Sequence, residues 1–335
     1  MRLVHAVGLT SAALLAALLP AAAAFPTPSA SRSASAPAVP EDCGPDPSGT
    51  CVRRGPEQRL GDGRVRVYTE YARDRPRAVG VELSAGALDR LPSTPTDGEH
   101  CHDADGDGVR DPAHECVGGH GRELALPATP PDRPALPFDW VLFNWNPHGH
   151  TPHGRYDVPH FDVHFYLVPP AERAAIRVGG CALMIDCGQL ATASRPVPAA
   201  HLPAGYPASS PQTAEGAMGS HLDSRPPSTG TLAGQTLIYG AYGGRLIFIE
   251  PMLTKAFLER QRTVPGHRTC EPVPQPAVWR TPGWYPTRYC TAYRPETGAH
   301  TVSLTDFVRR SPDSAAGGGW SAPYGAWPAA YPRTR

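Results

Sequence analysis

Histidine and carboxylate side chains gather in one stretch of this sequence. The run Asn144-Trp145-Asn146-Pro147-His148-Gly149-His150-Thr151-Pro152-His153-Gly154-Arg155-Tyr156-Asp157-Val158-Pro159-His160-Phe161-Asp162-Val163-His164-Phe165-Tyr166 holds five of the chain's 14 histidines. Imidazole nitrogens and carboxylate oxygens bind first-row transition metals, and they also move protons near neutral pH. In the second half of the run, strand alternation points Phe161, Val163, Phe165 and Leu167 one way and His160, Asp162, His164 and Tyr166 the other. One face packs a core and the other carries chemistry or water. Residues four apart on a strand lie ~13 Å apart at Cα and residues two apart ~7 Å, whereas zinc holds nitrogen at ~2.0–2.1 Å. His160 and His164 therefore reach one ion only by leaning inward or across a bulge, with Asp162 between them. His150 from the preceding loop, His221 in Met218-Gly219-Ser220-His221-Leu222-Asp223, and Glu250 from a later strand are the natural additional ligands. The expected set is His150, His160, His164, His221 and Glu250, for zinc, iron, copper or manganese. It exceeds what one tetrahedral ion needs, so some members support others. Two readings compete with it: histidines that hydrogen-bond one another around a polar core, and a metal-free acid/base pocket.

A second constellation suits a harder cation. In Asp103-Ala104-Asp105-Gly106-Asp107-Gly108-Val109-Arg110-Asp111, carboxylates occupy the first, third, fifth and ninth positions of a calcium loop. Glycine stands at the sixth and the Val109 carbonyl at the seventh. The pattern departs from an EF-hand at position twelve, which is His114, with the clamping acid Glu115 one residue late, and neither flank reads as helical. Calcium held by Asp103, Asp105, Asp107, Val109, Asp111 and Glu115 would bind at ~10⁻⁴ to 10⁻³ M, the class of extracellular modules. The alternative is a solvated acidic turn closed by Cys101 and Cys116.

The compartment follows from the cysteines and the N-terminus. Cys43 and Cys51, Cys101 and Cys116, Cys181 and Cys187, and Cys270 and Cys290 form four close pairs. Nearest-neighbour disulfides are the simplest connectivity, and the absence of any Cys-x-x-Cys argues against thiolate zinc. Arg2, the apolar run from Val7 to Leu19 and the small residues up to Ala24 read as a signal peptide over 1–24, too short for a membrane span. Residues 25–42 are a Ser/Ala/Pro linker with almost nothing to bury. The expected product is secreted or extracytoplasmic, with no membrane span in its mature form. The 31 acidic and 31 basic residues balance, Lys255 is the only lysine, and no basic block interleaves with aromatics, which excludes nucleic acid as a partner.

The elements that must position these residues are short, since 41 prolines disfavour long helices. Arg64 to Tyr71, Ala78 to Leu83, Trp140 to Trp145 and Val158 to Val168 read as strands. Ser84 to Leu91, Pro169 to Ile176 and Lys255 to Arg260 read as short helices. Gln235 to Tyr242, Gly243-Gly244 and Arg245 to Glu250 form a tight hairpin in which Tyr242 faces Arg245 and Leu237 faces Glu250. The expected fold is α+β, mainly antiparallel sheet with short helices and disulfide staples, and a cupin-like barrel is the alternative. One main domain spans 43–260, containing the acidic loop 101–116 and the histidine motif 144–166. Residues 261–335 form a disulfide-containing C-terminal extension with a loose tail from Ser311.

The run from Trp145 to Tyr166, Met218-Gly219-Ser220-His221, and Ile238-Tyr239-Gly240 through Phe248-Ile249-Glu250-Pro251-Met252 resemble an uncharacterised family of exported bacterial proteins. Its structural representative is a thermophile protein controlled by a sigma-E and anti-sigma-E pair. The resemblance covers roughly Val65 to Arg260. It implies a domain of unknown function able to form a homo-oligomer, and no reaction or substrate. No Gly-x-Ser-x-Gly elbow, His-Glu-x-x-His helix or phosphate loop points to a standard hydrolase or nucleotide enzyme. Three functions stay open: a secreted metal-binding protein, a non-catalytic envelope-stress or surface-assembly protein with structural histidines, and a metal-dependent enzyme with an open coordination position.

Overall fold

The computed structural model describes residues 50–72, 75–131, 133–225, 229–264 and 268–311; the expected signal peptide and linker, Cys43 and the expected loose tail after Ser311 lie outside them. Its strands are β1 (Thr50–Arg54), β2 (Gln58–Leu60), β3 (Gly63–Ala72), β4 (Arg75–Leu83), β5 (His120–Ala125), β6 (Trp140–Asn146), β7 (His160–Tyr166) and β8 (Val178–Cys181). There follow β9 (Ala214–Glu215), β10 (Gly219–Asp223), β11 (Gln235–Tyr242), β12 (Arg245–Thr254), β13 (Arg268–Pro272), β14 (Gly283–Arg294) and β15 (Ala299–Arg310). Three short helices, α1 (Pro170–Ala174), α2 (Leu190–Ala193) and α3 (Lys255–Gln261), complete the mainly antiparallel architecture among the described residues.

Apart from β8, the described strands make two seven-stranded sheets. One runs β1-β3-β4-β15-β14-β13 with β2 paired to β3, and the other runs β5-β6-β7-β12-β11-β10-β9. Both are open orders, so neither sheet closes on itself. Alternation along each strand sends its apolar residues into one shared core: Val67, Val81, Leu83 and Leu304 from the first sheet meet Phe143, Phe161, Val163, Phe165, Tyr239 and Ile249 from the second. Deleting a ring such as Phe165, which has no exposed surface, costs about 3–5 kcal/mol.

Three sequence expectations change. The segment after residue 260 is not an appendage: β15 lies between β4 and β14 in the first sheet, because Val302 and Leu304 belong to the core. Ser84 to Leu91 forms turns, not a helix. The Ser84 hydroxyl accepts the Arg64 amide of β3 and donates to the Ala85 carbonyl, so it cannot cap, and Arg90 adopts a left-handed φ of 50°. In the hairpin, Tyr242 does face Arg245, but a bulge beyond Gly240 pairs Gly240 with Phe248, which shifts Glu250 from Leu237 to Ile238. A one-residue slip exchanges faces, so Glu250 leaves the Leu237–Tyr239 side, which packs the core, for the opposite face.

That outer face of the second sheet is covered too. Ile176, Ile185, Ala193, Ala214 and Met218 from the 168–218 region pack on Trp140, Leu142, Tyr166 and Phe248. All seven residues of β7 are consequently buried, polar ones included. Disulfides Cys181–Cys187 and Cys101–Cys116 close local loops, and Cys270–Cys290 joins β13 to β14. Cys51 is also disulfide-bonded. No helix of the described residues is long and apolar enough to cross a membrane.

Candidate metal centre

The outer face of β7 presents His160, Asp162, His164 and Tyr166. On β12, Phe248 pairs with Tyr166 and Met252 with Asp162, which places Glu250 across from His164. His221 on β10 pairs with Gly240 on β11. A Cβ at Gly240 would lie 2.1 Å from the Phe248 ring, so only glycine lets that ring fold back over the sheet. The ring in turn walls the site, with its centroid 4.8 Å from His164 and 5.3 Å from His221. Across the loop from Pro147 to Pro159, Gly149 adopts a φ of 74° where a Cβ would strike the Tyr156 carbonyl. This tight return sets His150 over His160, with ring centroids 4.8 Å apart.

These side chains fall into two groups of three. In the first, His150 Nε2 stands 3.3 Å from Asp162 Oδ2 and His160 Nε2 stands 3.2 Å from Asp162 Oδ1. The Asn146 amide donates to Asp162 Oδ2 at 2.6 Å and fixes the carboxylate. In the second, His164 Nε2 is 3.5 Å from Glu250 Oε1 and His221 Nε2 is 3.9 Å from Glu250 Oε2. Each group offers three ligand atoms within 4.8 Å of one another. Nδ1 of His150, His160 and His164 lies 2.7, 2.6 and 3.3 Å from the carbonyls of Thr151, Val158 and Leu142. A carbonyl only accepts, so Nδ1 carries a proton and each ring turns its Nε2 toward its carboxylate. Metal-binding histidines are oriented in this way by the groups behind them.

The electrostatics favour a cation. Burial disfavours charge on His150, but Asp162 and Glu215 outweigh it and raise its pKa to about 9. Asp162 is buried, yet His160 and His150 hold it well below the usual carboxylate range. Burial lowers His164 to about 4, and burial together with His164 and His150 lowers His221 to about 3. Burial raises Glu215 to about 7 and, with Asp162 and Glu215 as like-charged neighbours, drives Glu250 well above the ordinary carboxyl value. Asp162 Oδ1, His164 Nε2, His221 Nδ1 and Glu250 Oε2 are buried without a hydrogen-bond partner. Leaving such atoms unpaired costs about 1–3 kcal/mol each, a cost that coordination would remove.

The structure thus brings all five expected residues into two groups, with His160 and His164 in different ones. Sequence reasoning placed Asp162 between these histidines without counting it as a ligand, and it missed Glu215, whose Oε2 lies 3.5 Å from His221 Nδ1. Asp162 was visible as part of the His-x-Asp-x-His alternation. Nothing local marked Glu215, which arrives on the two-residue strand β9.

In the acidic loop, Asp103, Asp105 and Glu115 present oxygens within 4.8 Å of one another, whereas Asp107 and Asp111 do not join that group. Asp111 instead holds His114 Nδ1 at 2.6 Å and the Ala113 amide. Glu115 accepts amides of Ala104 and Asp111 at 2.7 and 2.9 Å, and hydrogen bonds from Asp111, Ala104 and Asp105 hold its pKa below the ordinary value.

A cavity of about 610 Å³ is lined by His150 of the first group, His221 of the second, and Glu215. No family model, curated protein or solved structure matches the chain, so the reading of the site rests on its own geometry.

Proposed function

We propose that this chain is an extracytoplasmic metal-binding protein that holds transition-metal ions at two adjacent subsites: His150, His160 and Asp162, and His164, His221 and Glu250. One observation carries the reading. Buried imidazoles, turned by main-chain carbonyls, aim their Nε2 atoms at buried carboxylates, and several of the facing atoms have no hydrogen-bond partner. A histidine cluster serving only as a polar core would pair those atoms with one another. Two nitrogens and one carboxylate suit zinc, iron, copper or manganese and leave coordination positions free. The cavity at His150 and His221 favours the enzyme form of this reading, with a free position facing solvent. Export, supported by the disulfides, and kinship with the exported family that residues 145–166 resemble belong to the same proposal. So does a weak structural calcium at Asp103, Asp105 and Glu115.

Elemental analysis of protein purified from an exporting host without chelator or histidine tag tests it. Two transition-metal equivalents in the wild type and about one in His164→Ala are expected. Metal-free wild type, still so after incubation with zinc or manganese, would refute the reading and favour structural histidines.

A further inference from the structure

The cavity that reaches the two groups of ligands has a second polar end. Arg155 Nε and Nη2 donate to Asp223 Oδ2 at 3.0 and 2.6 Å, Arg225 Nε reaches the same oxygen at 3.2 Å, and the Tyr156 hydroxyl donates to it as well. Asp223 Oδ1 accepts the Arg225 amide at 2.8 Å, so both oxygens are engaged. One carboxylate faces two guanidiniums, which leaves one positive charge in excess. Arg225 Nη2 is buried and has no hydrogen-bond partner. All four side chains line the cavity, as do Tyr206 and Ile238. His221 and Asp223 are alternate residues of β10, so they share a face with Cα atoms ~7 Å apart. The arginine end is thus one strand repeat from the second subsite.

We infer that the cavity binds a small organic ligand with an oxyanion head. Arg225 and Arg155 hold the head, the Tyr156 and Tyr206 rings flank the body, and the far end points to His150 and His221. A guanidinium with an uncommitted edge is the protein's matched donor for phosphate or carboxylate. The volume of about 610 Å³ lies in the range of small-molecule sites. A second acid beside Asp223 would have satisfied Arg225 permanently; among the described residues Asp223 is the carboxylate that pairs with it. The far end of this assignment rests on the metal reading, and the arginine end stands on its own contacts.

Calorimetric titration of zinc-loaded full-length mature protein with phenyl phosphate and, separately, benzoate tests the inference, with metal content and melting temperature read on the same samples. At least one probe binds saturably to the wild type, and which one does so assigns the head as phosphate or carboxylate. Arg225→Gln weakens that binding at least about tenfold, the worth of a charge-assisted hydrogen bond, with metal content unchanged. Arg225→Lys, which keeps the charge and the stem, falls between them and carries the test should Arg225→Gln not fold. Binding of neither probe, or binding unchanged by both substitutions, overturns the inference. Arginine-dependent binding to a protein that takes up no zinc would uphold the oxyanion site while refuting the metal reading.

Discussion

Acid should expel metal from the first subsite with a slope that the structure fixes. In the metal-free protein His150 has a pKa of about 9 because Asp162 and Glu215 overcome its burial, so below pH 9 a metal ion must displace a proton from that ring. Asp162, held well below the carboxylate range, is already ionised and releases none. The His150 proton alone then makes affinity at this subsite rise about tenfold per pH unit up to pH 9, or about a hundredfold from pH 6 to 8, close to 2.7 kcal/mol. His164→Ala, which disables the second subsite, isolates the effect. Competition against a chelator of known pH dependence at pH 6, 7 and 8 gives the slope. Calorimetry in two buffers of different ionisation heat should count at least one proton released per ion bound. Affinity independent of pH, or no proton released, would refute the account of His150 and its carboxylates.

Other consequences follow from the same burial. Glu215, raised from 4.5 to about 7, binds protons more tightly folded than unfolded, so its charge destabilises the metal-free fold progressively from pH 4.5 to 7. Glu215→Gln should stabilise metal-free protein at pH 8 by up to about 3 kcal/mol and leave it nearly unchanged at pH 4 in urea melts; destabilisation at both pH values would contradict this. His164 and His221, lowered to about 4 and 3, have the opposite sign: the unfolded rings take protons first, so stability falls as pH drops below 6.5. His221→Gln should flatten the acid limb of the melting-temperature profile, and an unchanged limb counts against a neutral buried ring. Asp103→Asn should abolish calcium binding near the millimolar range, seen by calorimetry, without altering transition-metal content. Coupled loss of both would mean that the two sites are not independent. Replacing Cys270 and Cys290 by serine opens a loop with a separation of 20 residues and should cost about 3 kcal/mol.

The parts of the fold read correctly from sequence are those that a short window encodes. Alternation in His160 to Leu167 separates core from site because a strand repeats every two residues. Gly243-Gly244 between apolar runs can only be a turn. The hairpin register was not legible: the bulge past Gly240 depends on a ring packed over that glycine, and it moves Glu250 to the other face. The first group was nearly complete in sequence, because Asn146 to Asp162 is one local excursion from β6 to β7. The second group draws on His164, His221 and Glu250 from three strands, with Glu215 beside it. No spacing rule predicts which strands become neighbours. The C-terminal strands were misread as an extension for the same reason, since the place of β15 beside β4 is a long-range pairing.

The most direct measurement is anomalous diffraction, above and below the absorption edge of the bound metal, from crystals of protein exported and purified without chelators. The account predicts two peaks, one between His150, His160 and Asp162 and the other between His164, His221 and Glu250. No anomalous density on the outer face of β7, even after soaking with zinc and manganese, would contradict it.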